Sequence, residues 1–122
     1  MIQHQGVWLP DGERHMVEWM DKSGEIVDGR GTYQIKKLRT AMLHVKKFRE
    51  AVDVGAHVGF WTMHLSGLFA QVYAFEPVAE YRDCFVRNVD RQTRVKLYPL
   101  ALGTTAATVT VSRNLTSSGD TW

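Results

Sequence analysis

The sequence predicts an α/β domain built on a doubly wound sheet, and three observations carry the prediction. Short apolar runs recur at Ala51–Val54, Val72–Phe75 and Val95–Tyr98. The segments between them repeat their apolar residues with the period of a helix. A turn holding Gly55 and Gly59 joins the first run to the first helical segment. Strand and helix alternating over about fifty residues is the pattern of parallel strands joined by right-handed crossovers.

Residues 1–30 read as an N-terminal arm or hairpin. Val7-Trp8-Leu9 is followed by Pro10-Asp11-Gly12, a turn tripeptide in which Pro fixes φ, Asp bonds its own backbone and Gly permits positive φ. The chain is expected to return from that turn through His15 to Trp19. Lys22-Ser23-Gly24 and Asp28-Gly29-Arg30-Gly31 punctuate it before the α/β domain, expected over residues 31–122. There Ile35, Leu38, Met42 and Val45 fall within an arc of roughly 80° at helical spacing, which predicts an amphipathic helix. Lys36, Lys37, Arg39, Lys46, Lys47 and Arg49 on and beyond its other faces read as a solvated surface.

Ala51-Val52-Asp53-Val54 is a short apolar run ending at a glycine, as expected of a strand buried in a parallel sheet. A helix from Gly59 to Leu68 follows, with Trp61, Leu65 and Leu68 on its apolar face. Val72–Phe75 is the second strand, stopped by Glu76-Pro77 because Pro cannot continue a central ladder. Val78, Tyr81, Phe85 and Val89 again span roughly 80°, giving a helix with Glu80, Asp83 and Arg87 toward water. Val95–Tyr98 is the third strand and Thr108–Val111 a fourth.

Composition narrows the function classes. The 122 residues are 44% hydrophobic and 23% charged, so the chain is able to bury a core. Fifteen Lys and Arg against thirteen Asp and Glu fall far short of the basic surplus of phosphate-tracking proteins, so nucleic acid is not an expected partner. Cys84 is alone and has no disulfide partner; in its helix it reads as a small packing residue. His4, His15, His44 and His64 share no convergent spacing, and no metal site is expected. No apolar run approaches a membrane span and the first residues lack a signal-peptide pattern, so the expectation is a cytoplasmic protein without a membrane partner.

In an open α/β sheet the ligand binds beyond the carboxyl ends of the strands, where Asp53 to Gly59 and Glu76 fall. Gly55 gives the tight turn, and Gly59 allows the backbone to approach a ligand closely or the following helix to pack near the strand. Glu76 follows Gly55 by 21 residues, the spacing at which an acidic residue reaches the two hydroxyls of a ribose. The dinucleotide fingerprint would require glycines where His57 and Phe60 stand, and Asp53 would repel a pyrophosphate. The same carboxylate suits the cationic end of S-adenosylmethionine (SAM).

Val52-Asp53-Val54-Gly55-Ala56-His57-Val58-Gly59-Phe60-Trp61-Thr62, followed by Val72-Tyr73-Ala74-Phe75-Glu76-Pro77 and by Leu100-Ala101-Leu102-Gly103, resembles the FkbM family of SAM-dependent methyltransferases. The resemblance runs from about Gly31 to Asp120. It implies the Rossmann-like class I methyltransferase fold and methyl transfer to a hydroxyl of a sugar or small metabolite, without a metal. It also implies that Asp53, Gly55, Ala56, His57, Val58, Gly59 and Phe60 wrap the methionine and ribose portions. Glu76, with Pro77 beside it, would take the ribose hydroxyls, and the loop holding Ala101 would lie near the adenine. Where class I enzymes generally carry a glycine this chain has His57, a residue enriched at positive φ that keeps a turn possible.

A complete sheet of that class has seven strands, so the domain is expected to be cut short after three or four. The acceptor half is then missing, and no catalytic residue is assigned. The expected partner is a small-molecule or glycan acceptor, with self-association through an exposed sheet edge, weak cofactor binding and no turnover by the isolated chain. Two other readings stay open: a non-catalytic module that binds an adenosine ligand or docks a protein on its sheet, and a nucleotide-dependent oxidoreductase fragment.

Overall fold

The computed structural model describes residues 1–90 and 93–120. Of the expected domain, Arg91, Gln92, Thr121 and Trp122 lie outside the described residues. Strand β1 (Ile2–His4) pairs antiparallel with β2 (Val7–Leu9). Their loop is Gln5-Gly6, with φ of 46° and 74°, as a two-residue hairpin turn requires. The expected turn at Pro10-Asp11-Gly12 is present but leads into a helix, α1 (His15–Ser23), rather than a returning arm. Met16 and Met20, one turn apart, bury its inner face. A second small hairpin, β3 (Ile26–Val27) with β4 (Arg30–Gly31), turns at Asp28-Gly29.

Helix α2 (Ile35–Met42) buries Ile35 and Leu38 and ends before Val45. Then come β5 (Glu50–Val54), α3 (Thr62–Leu68), β6 (Gln71–Phe75), α4 (Ala79–Asn88), β7 (Val95–Tyr98) and a 3-10 turn at Ser118–Asp120. The three strands form one parallel sheet in the order β5-β6-β7, with Val52 opposite Tyr73, Val54 opposite Phe75, and Phe75 opposite Tyr98. This is an α/β architecture of Rossmann-like type. No helix among the described residues is long and apolar enough to cross a membrane.

Four expectations are corrected. Winding on both faces is absent from the described sheet. Leu65 of α3 and Phe85 of α4 share one core with Val72, Ala74 and Val95, so both crossover helices cover the same face. Successive crossovers of one hand that step the same way along a sheet stay on one side of it. The strand β5 is accordingly not buried on both faces, and Val52 and Val54 are 59% and 60% exposed. Thr108–Val111 forms no strand; residues 99–110 are exposed and irregular, since alternation without a neighbouring strand gives no ladder. The helix expected from Gly59 starts at Thr62, and Phe69 rather than Leu68 closes its apolar face.

Residues 1–30 belong to the packed body. Val7, Leu9, Met16 and Met20 form a second core cluster with Val58, Phe60 and Cys84. Asn88 of α4 ties the parts together. Its side-chain oxygen accepts from Trp8 N at 2.7 Å, and its amide donates to Trp8 O at 2.9 Å and to Val58 O at 2.8 Å. Burial pushes the Cys84 thiol up to about 11, in keeping with a packing role.

Candidate functional site

A cleft of about 660 Å³ opens at the carboxyl ends of β5 and β6. It is lined by Asp53, Gly55, Ala56, His57, Phe60, Glu76 and Pro77 of the expected residues. Three expected residues lie elsewhere. Val58 is fully buried in the second cluster. Gly59, at φ 94°, lies against α4, and a Cβ there would stand 2.6 Å from Val89 Cγ2 and 3.0 Å from Phe85 Cδ2. Its lack of a side chain serves close packing against α4, a role different from the two expected, approach to a ligand and packing of the following helix near the strand. Ala101 is exposed in the irregular segment after β7 and is not part of the cleft lining.

The turn is held by its own backbone. Gly55 N and Ala56 N both donate to Phe75 O, at 2.9 and 3.0 Å, which locks the end of β5 to the end of β6. Gly59 N donates to Ala56 O at 2.9 Å. His57 sits at φ 55°, a left-handed turn conformation that His adopts more readily than most residues. Its N–H donates to Glu76 Oε2 at 2.9 Å. Gly55, at φ 71°, has open space where a Cβ would be, so the turn conformation is what requires glycine there.

Glu76 is 5% exposed, and its other oxygen accepts from Val78 N at 2.8 Å at the start of α4. Burial raises its pKa, opposed by the two backbone donors and by Arg82. Each carboxylate oxygen keeps acceptor capacity beyond these bonds. Asp53 accepts from Thr62 Oγ1 at 2.6 Å, and burial raises its pKa as well. Asp53 and Glu76 line the cleft; among the described residues no Lys or Arg does.

No local sequence pattern announces the wall that faces the His57 ring. Val111, from the segment expected as a fourth strand, and Ser118 and Gly119 beyond it line the cleft together with Met16, Tyr33 and Tyr81. Arg14 N and His15 N donate to Thr116 O at 3.0 and 3.1 Å. Glu13, 4% exposed, accepts from Ser118 N at 2.7 Å and from Met16 N at 2.9 Å. The His57 ring lies 2.6 Å, Nε2 to Oγ, from Ser118 and meets Tyr81 edge-on at 4.7 Å. Burial lowers the His57 pKa to about 4, against a smaller raising effect of Glu13. The Glu13–Ser118 contact spans 105 residues of chain, so no local pattern could announce it.

Among the described residues no group of three or more His, Cys, Asp or Glu is placed to hold a metal ion. No protein-family model and no curated protein matches the sequence significantly. Among solved structures, the chain is similar to one described as a DhpI-SAM-HEP complex. The identity is 25% and the TM-score 0.38, over 52% of this chain and 30% of that one.

Proposed function

We propose that the chain forms the cofactor-binding part of a SAM-dependent O-methyltransferase of the FkbM type, acting on a hydroxyl of a sugar or small metabolite. The observation that carries the reading is the chemistry of the cleft. The N–H groups of Gly55, Ala56, His57 and Gly59 all donate within the protein, so they do not form the donor nest a diphosphate needs. The charged side chains in the lining are the acidic Asp53 and Glu76, which favour a ligand with positive charge and neutral hydroxyls. SAM meets both conditions, whereas NAD and ATP carry a polyphosphate that needs the donors this turn lacks and that Asp53 and Glu76 repel.

In this reading Glu76 accepts from the ribose hydroxyls while holding the turn, and Asp53 faces the cationic end. Gly55, Ala56, His57, Phe60 and Pro77 form the wall, with Val58 and Gly59 fixing the turn from behind. Bound SAM supplies a methyl group made electrophilic by its sulfonium. The chain's own residues orient the ligand and shield it from water, which is where positioning contributes to rate.

The uncovered face of the sheet favours a second reading, a module that docks a protein partner or a second copy there. Titration with S-adenosylhomocysteine, NAD and ATP separates the two. The first reading requires that S-adenosylhomocysteine bind and the others not; no adenosine ligand binding at all leaves the docking module.

A further inference from the structure

We propose that His57 is the group in the cleft that receives the proton of a ligand hydroxyl, and that Ser118 Oγ holds the place on His57 Nε2 which that hydroxyl takes. The proposal rests on the methyl-transfer reading above and supplies a residue role that it leaves open.

His57 serves two sides of the cleft. Its main chain fixes Glu76, while its ring points to the opposite wall, where Ser118 Oγ lies 2.6 Å from Nε2. The ring is held in place by the Tyr81 edge at 4.7 Å and by Phe60, nearly parallel at 6.5 Å. Its ring nitrogen is therefore aimed at a position that already holds a hydroxyl. That hydroxyl belongs to a segment reached through the exposed, irregular residues 99–110. The Ser118 turn is docked by hydrogen bonds from Ser118 N to Glu13 and to Thr116 O from the start of α1. A ligand hydroxyl can take the place of Oγ without disturbing the sheet or its helices.

The ionisable groups around the ring are Glu13 before α1, Glu76 after β6 and Tyr81 on α4; Arg113, over the Tyr81 ring, is paired with Glu80. Burial lowers the pKa of the ring to about 4, so the imidazole is neutral at pH 7, and the role assigned to it requires the tautomer with the proton on Nδ1 and the lone pair on Nε2. In the step, the hydroxyl proton moves to the Nε2 lone pair and the O–H electron pair stays on oxygen. That oxygen would form the O–CH3 bond as the methyl–sulfur bond of a bound sulfonium breaks with its pair returning to sulfur, and the imidazole becomes an imidazolium near Glu13. With Asp53 and Glu76 lining the cleft and no Lys or Arg among the described residues doing so, the hydroxyl belongs to a ligand without negative charge.

The test is a long-range proton–nitrogen NMR spectrum of the histidine-labelled chain, recorded without cofactor on wild type and Ser118→Ala. Ser118→Ala keeps the backbone N–H that Glu13 holds. The assignment requires His57 Nε2 to be unprotonated at pH 7 in wild type. It also requires ethylene glycol, used as the hydroxyl probe, to shift Nε2 in Ser118→Ala more than in wild type, while exposed His44 does not respond. A protonated Nε2 at pH 7, or a Ser118→Ala ring indifferent to the glycol, overturns it. Calorimetry with S-adenosylhomocysteine on wild type reads the cofactor assignment separately. Failure of wild type to bind overturns the cofactor reading and leaves the ring result to be judged on its own.

Discussion

The backbone N–H of His57 donates to the carboxylate of Glu76 across 19 residues of chain, at 2.9 Å. One acidic side chain therefore fixes the glycine turn and stands in the cleft, so its loss acts on both fold and ligand. Glu76→Ala leaves the part-buried donors His57 N and Val78 N without this acceptor. The expected loss of stability is about 1–3 kcal/mol, read by urea denaturation, since each lost hydrogen bond to a charged group costs roughly 1.5–3 kcal/mol before water partly replaces it. An unfolding midpoint equal to wild type would show that Glu76 does not hold the turn.

Gly59 and Gly67 give opposite results when replaced by Ala. At Gly59 a Cβ meets Val89 and Phe85 at a φ of 94°, so Gly59→Ala is expected to lose about 2–4 kcal/mol from strain and overpacking combined. Gly67, inside α3, has nothing within 4 Å of its Cβ position, and Gly67→Ala is expected to gain about 0.5–1 kcal/mol. Thermal denaturation of the two variants should move in opposite directions.

The lowered pKa of His57 has a defined sign. Folded His57 titrates at about 4 against an ordinary 6.5, so between those values the unfolded chain binds more protons. Its contribution is complete above pH 6.5 and falls away as pH drops to about 4, by up to about 3 kcal/mol. Asp53 and Glu76, raised by burial, have the opposite slope: their stabilisation, present in acid, is lost as pH rises through their folded pKa values. Comparing the pH dependence of stability in wild type and His57→Asn isolates the histidine. Equal slopes between pH 4 and 6.5 would contradict its burial as a neutral ring.

The sheet itself was legible because strand lengths and crossover helices are local. Val95–Tyr98 is found where the apolar run places it, and the strand at 71–75 differs by one residue. The sequence misled where local signals compete. Gln5-Gly6 makes the first hairpin through positive φ at a residue with no turn preference, while the stronger Pro10-Asp11-Gly12 signal leads into α1. A valine run reads the same whether one face or both are covered, so the exposure of Val52 and Val54 could not be foreseen from it. For the site, the turn and Glu76 were visible by spacing. Glu13, Asn88 and Ser118 were not, because their roles depend on partners 105, 80 and 61 residues away.

The uncovered sheet face sets a further expectation. Val52 and Val54 lie across from Tyr73 and Phe75, and Phe75 stacks on Tyr98 at 5.0 Å. An apolar surface of this kind favours association. Sedimentation should show the 122-residue chain self-associating with concentration, and Tyr73→Lys should reduce this with a stability change within about 0.5 kcal/mol. A monomer at all concentrations that binds no hydrophobic dye would show that the face is not adhesive.

The most direct measurement is calorimetric titration of the chain, and of Glu76→Ala, with S-adenosylhomocysteine, NAD and ATP. The account predicts one S-adenosylhomocysteine site per chain, weakened about 10- to 150-fold in folded Glu76→Ala, the range expected for hydrogen bonds to a charged group. It predicts no binding of NAD or ATP at the same concentrations. NAD or ATP binding more tightly than S-adenosylhomocysteine, or an affinity unchanged in Glu76→Ala, would contradict it.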